Sequence, residues 1–296
     1  MNKPVVIVTG AGGQVGQALL RLPMSPEWTV KGLGRSDFDI TDRAAVDAVV
    51  SEPSVVAVIN LAAYTAVDAA EKHRDLAFQI NHYGPAHLAQ ACAKRGLPLV
   101  QVSTDYVFDG AATRPWRETD QTSPVSVYGE SKLAGELAVA QAGCPYAVLR
   151  TAWVFGVDGG NFVKTMLRVG SQRDALKVVA DQVGGPTPAK SIAETCLALA
   201  QRLRKSTIDS GVYHYCGQPQ TSWHGFATAV FKLASDRGWR VPSTVEAITT
   251  AEYPTDAKRP AYSVLDCNKI ETALGVQIPD WRTELASVID VLTTKD

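Results

Sequence analysis

The chain has 296 residues, 46% hydrophobic and 20% charged, with a formal net charge of -1. That length allows one large α/β domain or two unequal lobes with ample core, and the neutral balance argues against a nucleic-acid or anionic-membrane partner. No apolar run reaches the roughly eighteen residues of a membrane helix and the N-terminus shows no signal-peptide pattern, so a cytoplasmic protein is expected.

In chain order, residues 4–9 are a β-branched apolar run suited to a strand buried on both faces. Gly10, Gly12, Gly13 and Gly16 follow at once, with Gln14 and Val15 opening a helical pattern. Glycines spaced Gly10-x-x-Gly13-x-x-Gly16 let the backbone turn tightly, approach a pyrophosphate and pack the helix on the sheet. Strand, glycine turn and helix in succession predict a dinucleotide site, with a phosphate-free loop as the alternative. A second strand over 28–33 ends in Gly34-Arg35-Ser36, where an NAD site usually carries an acidic residue. Arg35 and Ser36 suit a 2′-phosphate and hence NADP, against the plainer reading of a solvated loop arginine. Asp39 and Ile40 fall near the adenine if this loop belongs to the site, although helix capping explains Asp39 or Asp42 nearly as well.

A third strand over 55–60 leads into Ala62, Ala63, Tyr64 and Thr65, where small residues allow the backbone close to a cofactor ribose. Asp68, Glu71 and His73 read as a charged helix start. Asn81 either orders a backbone or water beneath the site or serves packing alone. The strand over 97–104 turns polar at its carboxyl end, where a doubly wound sheet binds its ligands. Thr104 is therefore expected to hydrogen-bond a substrate carbonyl and Asp105 a neighbouring hydroxyl, a Ser/Thr/Asp turn being the alternative. Tyr128 and Lys132 then fall about one turn apart on a predicted helix, on one face. An ammonium near a tyrosine lowers its ordinary pKa of about 10 and fits the pair for proton transfer to a carbonyl or alcohol. Alone, Tyr-x-x-x-Lys is usually an ordinary helix; its place after the glycine turn and the polar strand end is what singles it out.

Beyond a strand at 146–150 the pattern predicts loop at 153–160, helix at 161–172, strand at 176–180, a loop at 184–188 before a helix to about residue 204, and strand at 211–216. A Thr or Ser cap starts a further helix near residue 221, and the loop over 251–266 is expected to line a cleft. Arg259 in that loop faces either a diphosphate or solvent. Cys92, Cys144, Cys196, Cys216 and Cys267 are scattered, without C-x-x-C or histidine at metal-ligand spacing, so buried thiols and no metal site are expected. The expected fold is α/β, a doubly wound Rossmann-type parallel sheet with a smaller, discontinuous α/β substrate-binding lobe. Residues 1–150, with part of 185–216, form the dinucleotide-binding domain; 151–184 and 217–296 form the lobe.

Thr9-Gly10-x-x-Gly13-x-x-Gly16, Asn60-x-Ala-Ala63, the Ser103-Thr104 strand end and Tyr128-x-x-x-Lys132, in this order, resemble the extended short-chain dehydrogenase/reductase family. More closely, Gly13-Gln-Val-Gly16, Ser103-Thr-Asp-Tyr-Val-Phe108, Lys132-Leu-Ala-Gly-Glu136, Asn161-Phe162, Trp223-His224 and Arg259-Pro260 resemble the dTDP-4-dehydrorhamnose reductase family over nearly the whole chain. The resemblance implies NADPH as cofactor, with NADH the alternative, and dTDP-4-dehydro-L-rhamnose as substrate. Tyr128 would protonate the C4 oxygen as hydride arrives, Lys132 would hold the nicotinamide ribose and Thr104 the reacting oxygen. Asp105 and Trp153 would shape the sugar pocket, with Val67 and Tyr106 near it; without the family, Trp153 reads as a core aromatic. Some members bridge a dimer through magnesium-binding carboxylates, but Ala18 and Lys190 stand at the matching positions here. A monomer or an unbridged homodimer is expected. The rival readings are a nucleotide-sugar dehydratase or epimerase, disfavoured by Tyr106 where dehydratases resemble Thr-Asp-Glu, and a non-catalytic regulatory subunit like the methionine adenosyltransferase β subunit.

Overall fold

The computed structural model describes residues 3–23 and 25–293. Five strands, β1 (Val5–Thr9), β2 (Thr29–Leu33), β3 (Val55–Asn60), β4 (Leu99–Thr104) and β5 (Tyr146–Thr151), join a Gly211–His214 strand in one parallel sheet. The order across it is Gly211–His214, β5, β4, β3, β1, β2, with every neighbouring pair parallel. The chain reverses its direction of growth between β1 and β3, and a ligand crevice opens there, outside the carboxyl ends of the strands.

Alternation along the strands builds a core on each face. Val6, Val8, Ile59, Val100 and Leu149 point to the side covered by the helices Gln14–Leu20 and Ala189–Arg204. Ile7, Val58, Leu99 and Val148 point to the other, against Arg43–Ser51, Gly84–Arg95 and Val127–Gln141. Truncating a fully buried member such as Leu149 to alanine costs about 2–5 kcal/mol. Later segments form a second assembly, in which Ala175–Val179 pairs in parallel with Thr244–Ile248 and the helices Phe162–Gly170, Trp223–Ser235 and Trp281–Thr293 close an aromatic core around Phe155, Phe226 and Trp281.

Boundaries move little from those predicted. Asn161 caps its helix, accepting from Lys164 N at 3.1 Å, and the helix ends at Gly170. The predicted loops over 153–160 and 184–188 differ: Val154–Phe155 pairs with Thr187–Pro188, and Val183–Gly184 pairs with Thr221–Ser222. These two-residue ladders carry no periodicity long enough to read; they form because the later segments are brought together across the carboxyl ends of the sheet.

Candidate active site

The glycine turn is dictated by close approach. Gly10 sits at φ +66°, and a Cβ there would lie 2.5 Å from Ala62 N; a Cβ on Gly16 would lie 2.6 Å from Gly10 O. The backbones beyond β1 and β3 therefore touch, and the Gln14–Leu20 helix docks against the turn, as the switch point of such a sheet requires. Gly13 begins that helix without a side-chain cap on its first amides. Among the predicted cofactor residues, Gly10, Gly13, Gln14, Val15, Gly16, Arg35, Asp39, Ile40, Ala62, Ala63, Tyr64 and Thr65 line one cleft of about 1010 Å³. Gly12 and Ser36 lie outside its lining. Asp39 and Asp42 divide the roles left open between them. Asp42 caps the Arg43–Ser51 helix, while Asp39 folds its own turn by accepting from Thr41 N and Oγ1, both at 2.8 Å. Those bonds, and the nearby Arg35, hold the Asp39 carboxyl below its ordinary range.

At the carboxyl ends of β4 and β5 the cleft floor is polar and buried. Ser126 Oγ caps the Val127–Gln141 helix, accepting from Gly129 N at 3.2 Å, and Glu71 Oε1 accepts from Val127 N at 2.8 Å. So anchored, the helix brings Tyr128 and Lys132 into the cleft beside Thr104, Asp105 and Tyr106. Lys132 Nζ donates to Val102 O at 2.6 Å. That carbonyl ends a ladder crossing three strands: Thr9 Oγ1 donates to Asn60 Oδ1 at 2.5 Å, Asn60 Nδ2 to Gln101 Oε1 at 2.6 Å, and Gln101 Nε2 to Val102 O at 2.8 Å. Asn81, on a single π-helical turn at Gln79–Tyr83, clasps Tyr64 through its backbone N and O and donates to Ser131 Oγ at 3.0 Å. It thus orders backbone beneath the site.

Burial sets the proton affinities. It lowers Lys132 to about 8, against the opposing pull of Glu136. It raises Tyr128 above its ordinary value, with Asp105 and Tyr106 adding to the rise and the Thr104 hydroxyl opposing it. The expectation that Lys132 lowers Tyr128 is thus corrected for the protein alone: desolvation dominates, the neighbouring Asp105 and Tyr106 add to it, and the group working against it is Thr104. Asp105 is pushed up to about 6 by burial, against the hydroxyls of Ser263 and Thr104; Thr104 Oγ1 donates to Asp105 Oδ1 at 2.9 Å. Ser103 Oγ and Thr151 Oγ1 are buried in the cleft lining with no hydrogen-bond partner among the described residues. Ser103 enters from sequence only as part of the Ser103-Thr104 motif and Thr151 not at all, since Ser and Thr near strand ends are common.

The facing wall is aromatic. Trp153, at φ 47°, stacks on Trp223 with ring centroids 3.5 Å apart and planes 8° from parallel; Phe162 leans on Trp223 at 4.6 Å. Tyr106 meets Tyr128 edge-on at 5.4 Å, and burial lifts its hydroxyl to about 12. Arg259 lies on the cleft, with Nη2 2.7 Å from Asp68 Oδ2 and Nη1 3.4 Å from Tyr106 OH. Asp68 also accepts from Ala257 N at 3.2 Å. It is thus a tether for the 251–266 loop as well as an acidic residue in the first turn of Val67–Ala70. Val67 lines the cleft. Among the described residues no cluster of His, Cys, Asp or Glu is placed to hold a metal, and no helix is long and apolar enough to cross a membrane. All five cysteines are buried and free, and Lys190 lies 3.9 Å from Glu194.

The family described as RmlD substrate binding domain matches residues 4–294. A dTDP-4-dehydrorhamnose reductase of Aggregatibacter actinomycetemcomitans is 42% identical, covering 96% of this chain and 97% of that protein. A solved dTDP-4-dehydrorhamnose reductase of Clostridium acetobutylicum superposes with a TM-score of 0.90 at 41% identity, over 98% of this chain and 99% of its own. Another, from Bacillus anthracis in complex with NADP, gives 0.90 at 36% identity over 97% and 99%.

Proposed function

The chain belongs to the dTDP-4-dehydrorhamnose reductase family, and from that premise we propose that it reduces the C4 keto group of dTDP-4-dehydro-L-rhamnose to give dTDP-L-rhamnose, with NADPH as preferred cofactor and NADH as a second one. The observation that carries the reading is the meeting of Tyr128, Lys132 and Thr104 in the same cleft as the glycine turn and the Trp153–Trp223 wall. The nicotinamide, when bound, supplies the hydride. Thr104 turns its hydroxyl from Asp105 Oδ1 to donate a hydrogen bond to the C4 oxygen and polarises the carbonyl. Tyr128 gives its phenolic proton to that oxygen; a raised pKa keeps it protonated until the oxygen becomes basic. Lys132 binds the nicotinamide ribose. Asp105 holds a neighbouring sugar hydroxyl, Trp153 shapes the sugar pocket with Val67 and Tyr106 near it, and Arg259 faces the diphosphate. Gly10 to Gly16 cradle the pyrophosphate, and Arg35 with Ser36 hold the 2′-phosphate.

In this reading residues 1–150, with part of 185–216, hold the cofactor, and 151–184 with 217–296 hold the sugar nucleotide, in a cytoplasmic enzyme acting as monomer or unbridged homodimer. Tyr106 after Asp105 leaves no second carboxylate for water elimination, which favours reduction over dehydration. The test is consumption of reduced nicotinamide with dTDP-4-dehydro-L-rhamnose, with the product identified. Tyr128→Phe is expected to lower kcat by about 10²–10⁴; near-wild-type turnover would remove Tyr128 as proton donor.

A further inference from the structure

The helix bearing Tyr128 and Lys132 places a third ionisable side chain, Glu136, one turn beyond Lys132. Glu136 is 4% exposed and is gripped by Arg150 of β5, 3% exposed, through Nε at 3.0 and 3.1 Å from the two carboxylate oxygens and Nη2 at 2.6 Å from Oε2. The guanidinium lies over Phe108, 5.1 Å from the ring centroid, and Phe108 stacks on Trp116 at 4.4 Å. Glu136 and Arg150 both lie outside the cleft lining.

An ion pair this deep is poor value as a fastener, because an apolar pair of the same volume is often as stabilising or more so. It offers something no apolar pair can, a fixed negative charge one turn from a buried ammonium. Among the described residues Lys132 itself makes one hydrogen bond, to the neutral Val102 O. The other groups around it cannot substitute for that charge. Asp105 and Tyr106, from the segment after β4, act on Tyr128. Asn81, from the π-helical turn, is neutral and bonded to Ser131. His214 lies with Nε2 3.4 Å from Arg150 Nη1, and burial together with the Arg150 charge drives it down to about 3, so it is uncharged near neutrality.

We propose that the Glu136–Arg150 pair is a positioning device for Lys132, in which Glu136 supplies the charge that keeps the buried ammonium protonated and Arg150 fixes where that charge sits. The proposal rests on the assignment of Lys132 to the cofactor ribose. It concerns the lysine alone, so the identity of the sugar does not enter its test.

The two single substitutions unbalance the device in opposite directions. Glu136→Gln leaves the Arg150 cation uncompensated, and Lys132 loses its proton at lower pH. Arg150→Met frees the carboxylate to act on Lys132 undiminished, and the proton is held to higher pH. The experiment is the dissociation constant of NADPH against pH, read by nucleotide fluorescence with full-length protein, alongside kcat/KM. Relative to wild type, the alkaline limb is expected to move down by about one pH unit in Glu136→Gln and up in Arg150→Met. A merely structural pair would weaken both variants alike, so equal shifts, or none in variants that remain folded, would overturn the proposal. Should the single variants fail to fold, Glu136→Leu combined with Arg150→Met replaces the pair by apolar volume, and its limb is expected below that of wild type; an unmoved limb overturns the proposal. Wild-type protein that binds neither NADPH nor NADH would instead overturn the cofactor assignment beneath it.

Discussion

The two sides of the cleft are built by different means. Its floor comes from residues adjacent in sequence or on neighbouring strands: Thr104, Asp105 and Tyr106 are consecutive, and Tyr128 and Lys132 share one helix. All but Tyr106 are buried, and hydrogen bonds hold Thr104, Asp105 and Lys132 at stated lengths. The wall comes from distant segments. Trp153 meets Trp223 by stacking, and Arg259 meets Asp68 across 191 residues through a partly exposed ion pair. A dry, fixed floor suits the step that moves protons, where a small displacement is costly. A wall of stacked rings and a solvated ion pair suits recognition, since it adapts and its charges are worth less. Substitutions in the floor should therefore appear in kcat and those in the wall in KM.

The sharpest way to break that division is Thr104→Val, which removes the proposed donor to the reacting oxygen and the hydroxyl that opposes the rise of Tyr128. A loss of about 10² in kcat with little change in KM is expected; the reverse pattern in steady-state kinetics would end the comparison. Arg259→Met tests the wall and should raise KM for the sugar nucleotide by about tenfold while kcat stays within a few-fold. A collapse of kcat would move Arg259 to the floor.

Asp105→Asn probes what the dry floor costs in stability. Its folded pKa of about 6 lies above the ordinary 3.8, so its contribution is fully present below the unfolded value and is lost as pH rises through the folded one. Asparagine cannot ionise, so the variant should melt about 2–5 °C above wild type on the alkaline side of that window. The two melting curves should converge on the acid side, with turnover reduced throughout. A melting temperature no higher than wild type at alkaline pH would contradict the cited shift. Arg35→Ala, at an exposed point, should have the smallest effect, weakening NADPH by about tenfold or less and leaving NADH unchanged. Equal losses for both cofactors would deny Arg35 its part in the 2′-phosphate site.

The same division explains what could be read from the sequence. The sheet, the glycine turn, the polar end of β4 and the Tyr128–Lys132 turn are local patterns, and spacing alone predicts that they share a site. Trp153 reads as a core aromatic on its own residues and became a candidate for the wall through family resemblance. Trp223 escaped notice as a wall residue because, at the first position after the Ser222 cap, it looks like any helix start. Asp68 likewise reads as a helix start, and no local signal announces a partner so far along the chain. The direction of the Tyr128 shift was misjudged for a different reason. Spacing puts a lysine on the same helix face but shows neither how completely water is excluded nor that the ammonium is bonded to Val102 O, and here exclusion dominates.

The Thr9–Asn60–Gln101 ladder gives this molecule a ruler. Side-chain amides continue the sheet's lateral bonding at the carboxyl rim, and the last of them shares the Val102 carbonyl with Lys132. Thr9 is the residue before the first glycine of the turn. In the proposed reading, the residues for the pyrophosphate end and the ribose end of the dinucleotide are thereby tied to one continuous row of hydrogen bonds across β1, β3 and β4.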